Sequence, residues 1–179
     1  MYKVRGDEMK NKYRMICCLL LIIIITILII YTFNENKKEN EKILSVNLNT
    51  KDLINIILQE DSIKKHMDIN STQDITEVEM TNIYDIDLNL VEQYYGKVPT
   101  VSLSSDEIII IKVKDVKDLT IIENKFKQRA KEVSDNFENY LETEHSNAKN
   151  PLILKKGKYI IFAINDNINE IKNIFENQF

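Results

Sequence analysis

The chain has 179 residues and a formal net charge of −4, with 24 Lys plus Arg against 28 Asp plus Glu, and no tryptophan. Acidic residues outnumber basic ones further after Phe33, which excludes the strongly basic face that nucleic acid or anionic headgroups require. Its two cysteines are Cys17 and Cys18, so everything after them lacks both disulfide and thiol chemistry.

The first element is the uncharged run Met15–Phe33, MICCLLLIIIITILIIYTF. As a helix it is roughly 28 Å long, close to the hydrocarbon thickness of a bilayer. It is longer than the apolar stretch of a secretory signal, and its end, Ile29-Ile30-Tyr31-Thr32-Phe33, carries no small-residue cleavage site. An uncleaved anchor is therefore expected, with the lipid bilayer as partner through residues 15–33. Cys17 and Cys18 open the run instead of closing it, so they read as apolar filler and not as a lipidation site. Lys3, Arg5, Lys10, Lys12 and Arg14 precede the run, and Lys37, Lys38 and Lys42 follow it among Glu35, Glu39 and Glu41. This bias places residues 1–14 in the cytoplasm and the remainder outside.

Residues 34–49 read as a polar juxtamembrane linker, partly extended, and residues 50–179 as one domain with a single core. Thr50 is the expected N-cap of a helix with Leu53, Ile54, Ile57 and Leu58 on one face. Residues 61–81 carry no clear pattern. A short helix is expected from Asp87, with Leu88, Val91 and Tyr95 on one side and Gly96 as its stop. Pro99 leads into an expected short strand, Thr100 to Leu103.

Glu107–Val113 is a strand whose continuous isoleucines call for cover on both faces. Thr120 and Glu123 have capping-box spacing. Leu119, Ile122, Phe126, Ala130, Val133, Phe137 and Tyr140 then form the stripe of a helix of roughly 25 residues. Leu152–Leu154 and Tyr159–Ile164 make a hairpin across a turn containing Gly157. Asp166 is the expected cap of a last helix, with Ile168, Ile171, Ile174 and Phe175 facing inward. Strand pairs separated by helices predict an α+β domain, with a mostly antiparallel sheet of about four strands packed by helices behind one N-terminal transmembrane helix.

The order Tyr84-Asp85-Ile86-Asp87, Val91-Glu92-Gln93-Tyr94, Ser105-Asp106-Glu107-Ile108, then Phe126, Arg129, Phe137 and Tyr140, then Gly157-Lys158-Tyr159-Ile160, resembles the bacterial domain of unknown function 4358. That family occurs on short lipoproteins and membrane-anchored proteins of Gram-positive bacteria. The resemblance implies an extracytoplasmic placement and no assigned activity. A proline common in the family after the tyrosine closing the long helix is replaced here by Leu141-Glu142, and the lipobox is replaced by the anchor.

Chemistry-bearing patterns are sparse. Asp85-Ile86-Asp87-Leu88-Asn89 opens like a calcium loop, but Leu90 and Gly96 stand where an EF-hand needs glycine and glutamate. His66 and His145 have no patterned partner, so no metal and no cofactor is expected. Ser102, Ser104 and Ser105 sit in no nucleophile turn. The candidate partner surface comprises Tyr94, Tyr95, Asp106, Glu107 and Arg129. Arg129 is expected to pair with Asp106 or Glu107, as a local salt bridge before an acid-binding fork. The resulting expectation is a noncatalytic binding or accessory module of the cell envelope, with an unknown envelope protein or ligand as partner. The alternative is a structural protein that self-assembles into a homo-oligomer at the membrane surface.

Overall fold

A computed structural model describes residues 2–67 and 71–179; the side chains of residues 2–14, 16–18, 39, 40 and 66 lie outside what it describes, those of Cys17, Cys18 and His66 among them. The chain divides into two compact units, Met1–Lys42 and Ile43–Phe179. The first helix, α1 (Tyr2–Ser45), carries the apolar run. Its Leu19–Ser45 portion is the one segment among the described residues long and apolar enough to cross a membrane. Segments of this kind serve as anchors or as signal sequences. The stretch after Phe33, expected as partly extended, stays helical through Ser45.

The second unit is built on a five-stranded sheet of order β1-β2-β3-β5-β4, antiparallel throughout: β1 Thr72–Asp74, β2 Val91–Pro99, β3 Glu107–Val113, β4 Leu152–Lys156 and β5 Tyr159–Ile164. Its helices are α2 (Thr50–Leu58), α3 (Asp61–His66), α4 (Glu77–Asn82), α5 (Leu119–Phe137), α6 (Glu142–Lys149) and α7 (Ile168–Glu176). Successive strand residues point to opposite faces. Ile109, Ile111, Ile160 and Phe162 therefore pack with Met80 of α4 and the α5 stripe, while Ile108, Ile110, Ile161 and Ala163 pack with α2, α3 and α7. Both faces of β3 and β5 are buried, as their unbroken apolar runs require. The hairpin joining β4 to β5 turns on Gly157, whose φ of +55° suits the first position of a two-residue loop.

Several local expectations change. The helix expected after Asp87 is a 3-10 turn, Leu88–Leu90, followed by strand β2, and Gly96 lies inside that strand. The strand expected over Thr100–Leu103 is a turn. The long helix ends at Phe137, and a separate α6 follows; Tyr140, expected in the apolar stripe, is exposed. The capping box falls at Thr76 and Glu79, because a 3-10 turn, Val116–Asp118, runs straight into α5 and leaves Thr120 inside the helix. Asn49 caps α2 in place of Thr50, and Asn167 precedes α7 in place of Asp166.

The segment entering the second unit is strapped to the central strands. The Tyr159 hydroxyl accepts from the Leu48 N–H at 2.6 Å and donates to the Leu48 carbonyl at 2.8 Å. The Lys112 ammonium donates to Asn47 Oδ1 at 2.9 Å and to Glu92 at 2.6 Å.

Candidate functional site

Glu107 begins β3 on the face that carries Ile109 and Ile111, so its carboxylate points at α5 from within an apolar layer. It is 1% exposed. A charge buried this deeply needs a partner. Arg129 supplies it from the flank of the α5 stripe, one turn from Phe126 and from Val133. Its Nε donates to Glu107 Oε2 at 3.2 Å and its Nη2 pairs with Oε1, a two-point ion pair. The Tyr84 hydroxyl donates to Glu107 Oε2 at 2.6 Å. Its ring stands edge-on to Phe126 and Phe162, with centroids 6.4 and 6.5 Å away, while those two rings stack at 4.8 Å. Burial, with the Glu107 charge beside it, pushes the Tyr84 hydroxyl well above its ordinary pKa. Burial opposes the Arg129 charge too, but the Glu107 carboxylate outweighs it and holds the guanidinium protonated.

Glu107 and Arg129 of this cluster, with Ser104, floor an open groove of about 450 Å³. Pro99, Thr100, Val101 and Ser102 form one wall, and Val133, Asn136 and Phe137 the other, with Tyr140 at the mouth. Arg129 contributes a side chain that is 20% exposed.

The five candidate residues do not form one surface. Glu107 and Arg129 meet, as the expected local salt bridge. Tyr94 and Tyr95 are neighbours on β2 and so face opposite sides of the sheet. The Tyr95 hydroxyl donates to Asp74 at 2.8 Å, and the Lys51 ammonium lies 5.0 Å from its ring centre. Asp106 turns away from Arg129. Its carboxylate accepts from Asn165 Nδ2 at 2.9 Å and from the Ser104 hydroxyl at 3.1 Å. Sequence reasoning missed Tyr84 as the third member and missed the groove wall at residues 99–102. The available signal was a glutamate opening a run of four isoleucines, which demands a cation and a hydroxyl or amide beside it.

The remaining polar patterns resolve into structural roles. Ser105 donates through its N–H and its hydroxyl to Glu144, both at 2.7 Å. Asp87 Oδ1 caps the 3-10 turn by accepting from Asn89 N–H at 2.8 Å, and Asp85 pairs with Lys125. His145 Nδ1 lies 2.9 Å from the Ser134 carbonyl and 3.1 Å from the Ser134 hydroxyl. A carbonyl only accepts, so Nδ1 carries its proton and is no base for that serine. Among the described residues no group of three or more His, Cys, Asp or Glu is placed to hold a metal ion.

Asp106 makes a measurable pH dependence. Burial raises its pKa from 3.8 to about 6 against the pull of Ser104 and Asn165, and the charges of Glu144 and Asp166 add to the rise. The folded state thus holds a proton that the unfolded state has already lost, and stability falls as pH rises from about 4 to 6. The full shift is worth about 3 kcal/mol, and screening of this half-buried group reduces it to about 2 kcal/mol. The carboxylates with lowered pKa, Asp74, Glu92, Asp115 and Glu123, are each paired with a lysine, and their stabilisation is lost only at lower pH, as each is protonated. Asp106→Asn should be about 2 kcal/mol more stable than the wild-type chain at pH 7.5 and equal to it near pH 4. Urea unfolding of the full chain in detergent across that range measures the difference; a parallel offset at all pH values would contradict it.

An antiparallel α+β domain, covered by helices on both faces and preceded in the chain by a membrane-length apolar helix, is the class that these features define. The model of the domain of unknown function DUF4358 matches residues 65–165, and the chain belongs to that family. The matched region spans all five strands and both members of the Glu107–Arg129 pair. No curated protein and no solved structure matches the chain.

Proposed function

We propose that the chain is a single-pass membrane protein whose second unit is a noncatalytic binding or accessory module on the extracytoplasmic side of the cell envelope. The apolar helix with its basic leader supports the placement. The observation that carries the binding role is the groove over Glu107 and Arg129. Its charged groups are already committed to each other and to Tyr84, so they shape a surface and hold no spare acid or base. Two measurements test this. Val78 is 65% exposed, and no cysteine follows Cys18, so Val78→Cys should react with a membrane-impermeant maleimide in intact cells, above the wild-type background. Labelling only after lysis would place the unit inside. A photo-cross-linker at Ser102 should then trap an adduct in cells that one at Val78 does not, and equal or absent trapping would refute a binding groove.

Self-assembly through strand edges is the weaker reading. The edge strand β1 has three residues, and the other edge, β4, carries Lys155 and Lys156, paired with Glu123 and Glu176. Short edges and edge lysines oppose strand addition. A monomeric full chain in micelles by sedimentation is the expected result.

A further inference from the structure

We propose that the groove binds a neutral saccharide, a pyranose unit or short oligosaccharide, an inference that rests on the groove being a binding site. The floor decides the charge of the ligand. Arg129 is the cation of the groove floor, and Glu107 compensates it from within the same pair. The pair has no net charge, so an incoming ion of either sign gains little from it. A neutral ligand with hydrogen-bond acceptors can use the guanidinium N–H groups that Glu107 and Tyr84 leave over, since Nε and Nη2 bond Glu107, Tyr84 is one further neighbour, and a guanidinium has five N–H in all.

The walls decide its polarity. Thr100 and Ser102 bring hydroxyls, and Asn136 brings an amide, each able both to donate and to accept. A sugar hydroxyl does the same, so a polyhydroxylated ligand can satisfy this set whichever way its rings of donors point. The mouth decides its shape. Tyr140 is 67% exposed, an amphipathic ring beside the apolar Val133 and Phe137. Such a ring offers a flat apolar face to the C–H side of a pyranose, while the hydroxyl edge turns to the polar wall. A volume of about 450 Å³ is within the range of small-ligand sites, and the open form suits a segment of a longer chain.

The test uses the full chain in nanodiscs prepared without glycoside detergents. Saturation-transfer NMR is run with N,N′-diacetylchitobiose, cellobiose and maltose as neutral probes, and with N-acetylglutamate and inorganic phosphate as anions. At least one disaccharide should bind saturably, with Kd on the order of 1 mM, and the anions should not. Because the chain has no tryptophan, Tyr140→Trp places a single tryptophan at the mouth, and the same saccharide should change its emission, excited at the red edge beyond tyrosine absorption, with the same midpoint. Tyr140→Ala, at an exposed position, should keep the melting temperature and weaken saccharide binding about tenfold. No saturable binding by any of the three sugars, or binding unchanged in Tyr140→Ala, overturns the proposal. Saturable binding by N-acetylglutamate or phosphate alone overturns the saccharide and leaves the groove a binding site, whereas loss of the Ser102 adduct in cells removes the groove itself.

Discussion

Arg129→Ala should destabilise the second unit by about 4 kcal/mol, the largest effect expected of any single change in the groove. The substitution strands Glu107, at 1% exposure, with the Tyr84 hydroxyl as its one remaining polar partner among the three-residue cluster. Removing one member of a buried ion pair costs the desolvation of the other, and that cost exceeds the net worth of the pair. Three companion variants separate these terms. Arg129→Lys retains the charge but cannot make the two-point contact, and should cost about 1–2 kcal/mol. Glu107→Gln leaves a partly exposed guanidinium that water can reach, and should cost less than Arg129→Ala. The double variant Glu107→Leu, Arg129→Leu should be milder than Arg129→Ala alone, because it leaves no orphan charge. Denaturant unfolding of the full chain in micelles, followed by tyrosine near-ultraviolet circular dichroism, gives all four values. A cost below about 1 kcal/mol for Arg129→Ala would show the pair to be solvated.

Gly96→Ala should cost about 3 kcal/mol, the upper part of the range for an overpacked site. A Cβ at Gly96 would stand 2.6 Å from the Ile108 carbonyl oxygen, 2.8 Å from Ile109 Cγ1 and 3.0 Å from Ile109 Cα. Two of these atoms are backbone of β3, the strand bonded to β2 on one side and to β5 on the other. A side chain could swing aside, but β3 cannot move without disturbing both ladders. The variant should therefore lose stability without losing its secondary structure, seen as a lowered denaturant midpoint with an unchanged far-ultraviolet spectrum below it. An unchanged midpoint would contradict this close approach of β2 and β3.

Gly96 also marks where the sequence misled. Val91, Tyr95 and Gly96 have the spacing of a helical face and its stop, and a helix was the natural reading. The strand hides its alternation because its register shifts between Val91 and Gln93. Beyond that bulge the phase reverses, so Val91 and Val98, an odd interval apart, share the face toward α5. No period-two pattern survives such an inversion. The central strands were legible for the opposite reason: Ile108–Ile111 and Tyr159–Ile164 are buried on both faces, so register does not affect the pattern. The end of α5 was illegible because Tyr140 continues the three- and four-residue spacing of the stripe after the helix has stopped, and α6 buries only Ala148. Within the site, the Glu107–Arg129 pair could be anticipated from charge at the margin of an apolar pattern. Tyr84 and the wall at residues 99–102 could not, since they are brought to the pair by loops whose paths no periodicity encodes.

The strap at residues 47–48 has a mechanical meaning. A pull on the chain from its N-terminal side reaches the second unit at this segment, where Tyr159 holds both backbone groups of Leu48 and Lys112 holds Asn47. Tyr159 and Lys112 are cross-strand partners on β5 and β3, two inner strands of the sheet. Tension is thus delivered to two inner strands at the end pair of their ladder, each strand bonded along both sides, and not to an edge strand held along one side only.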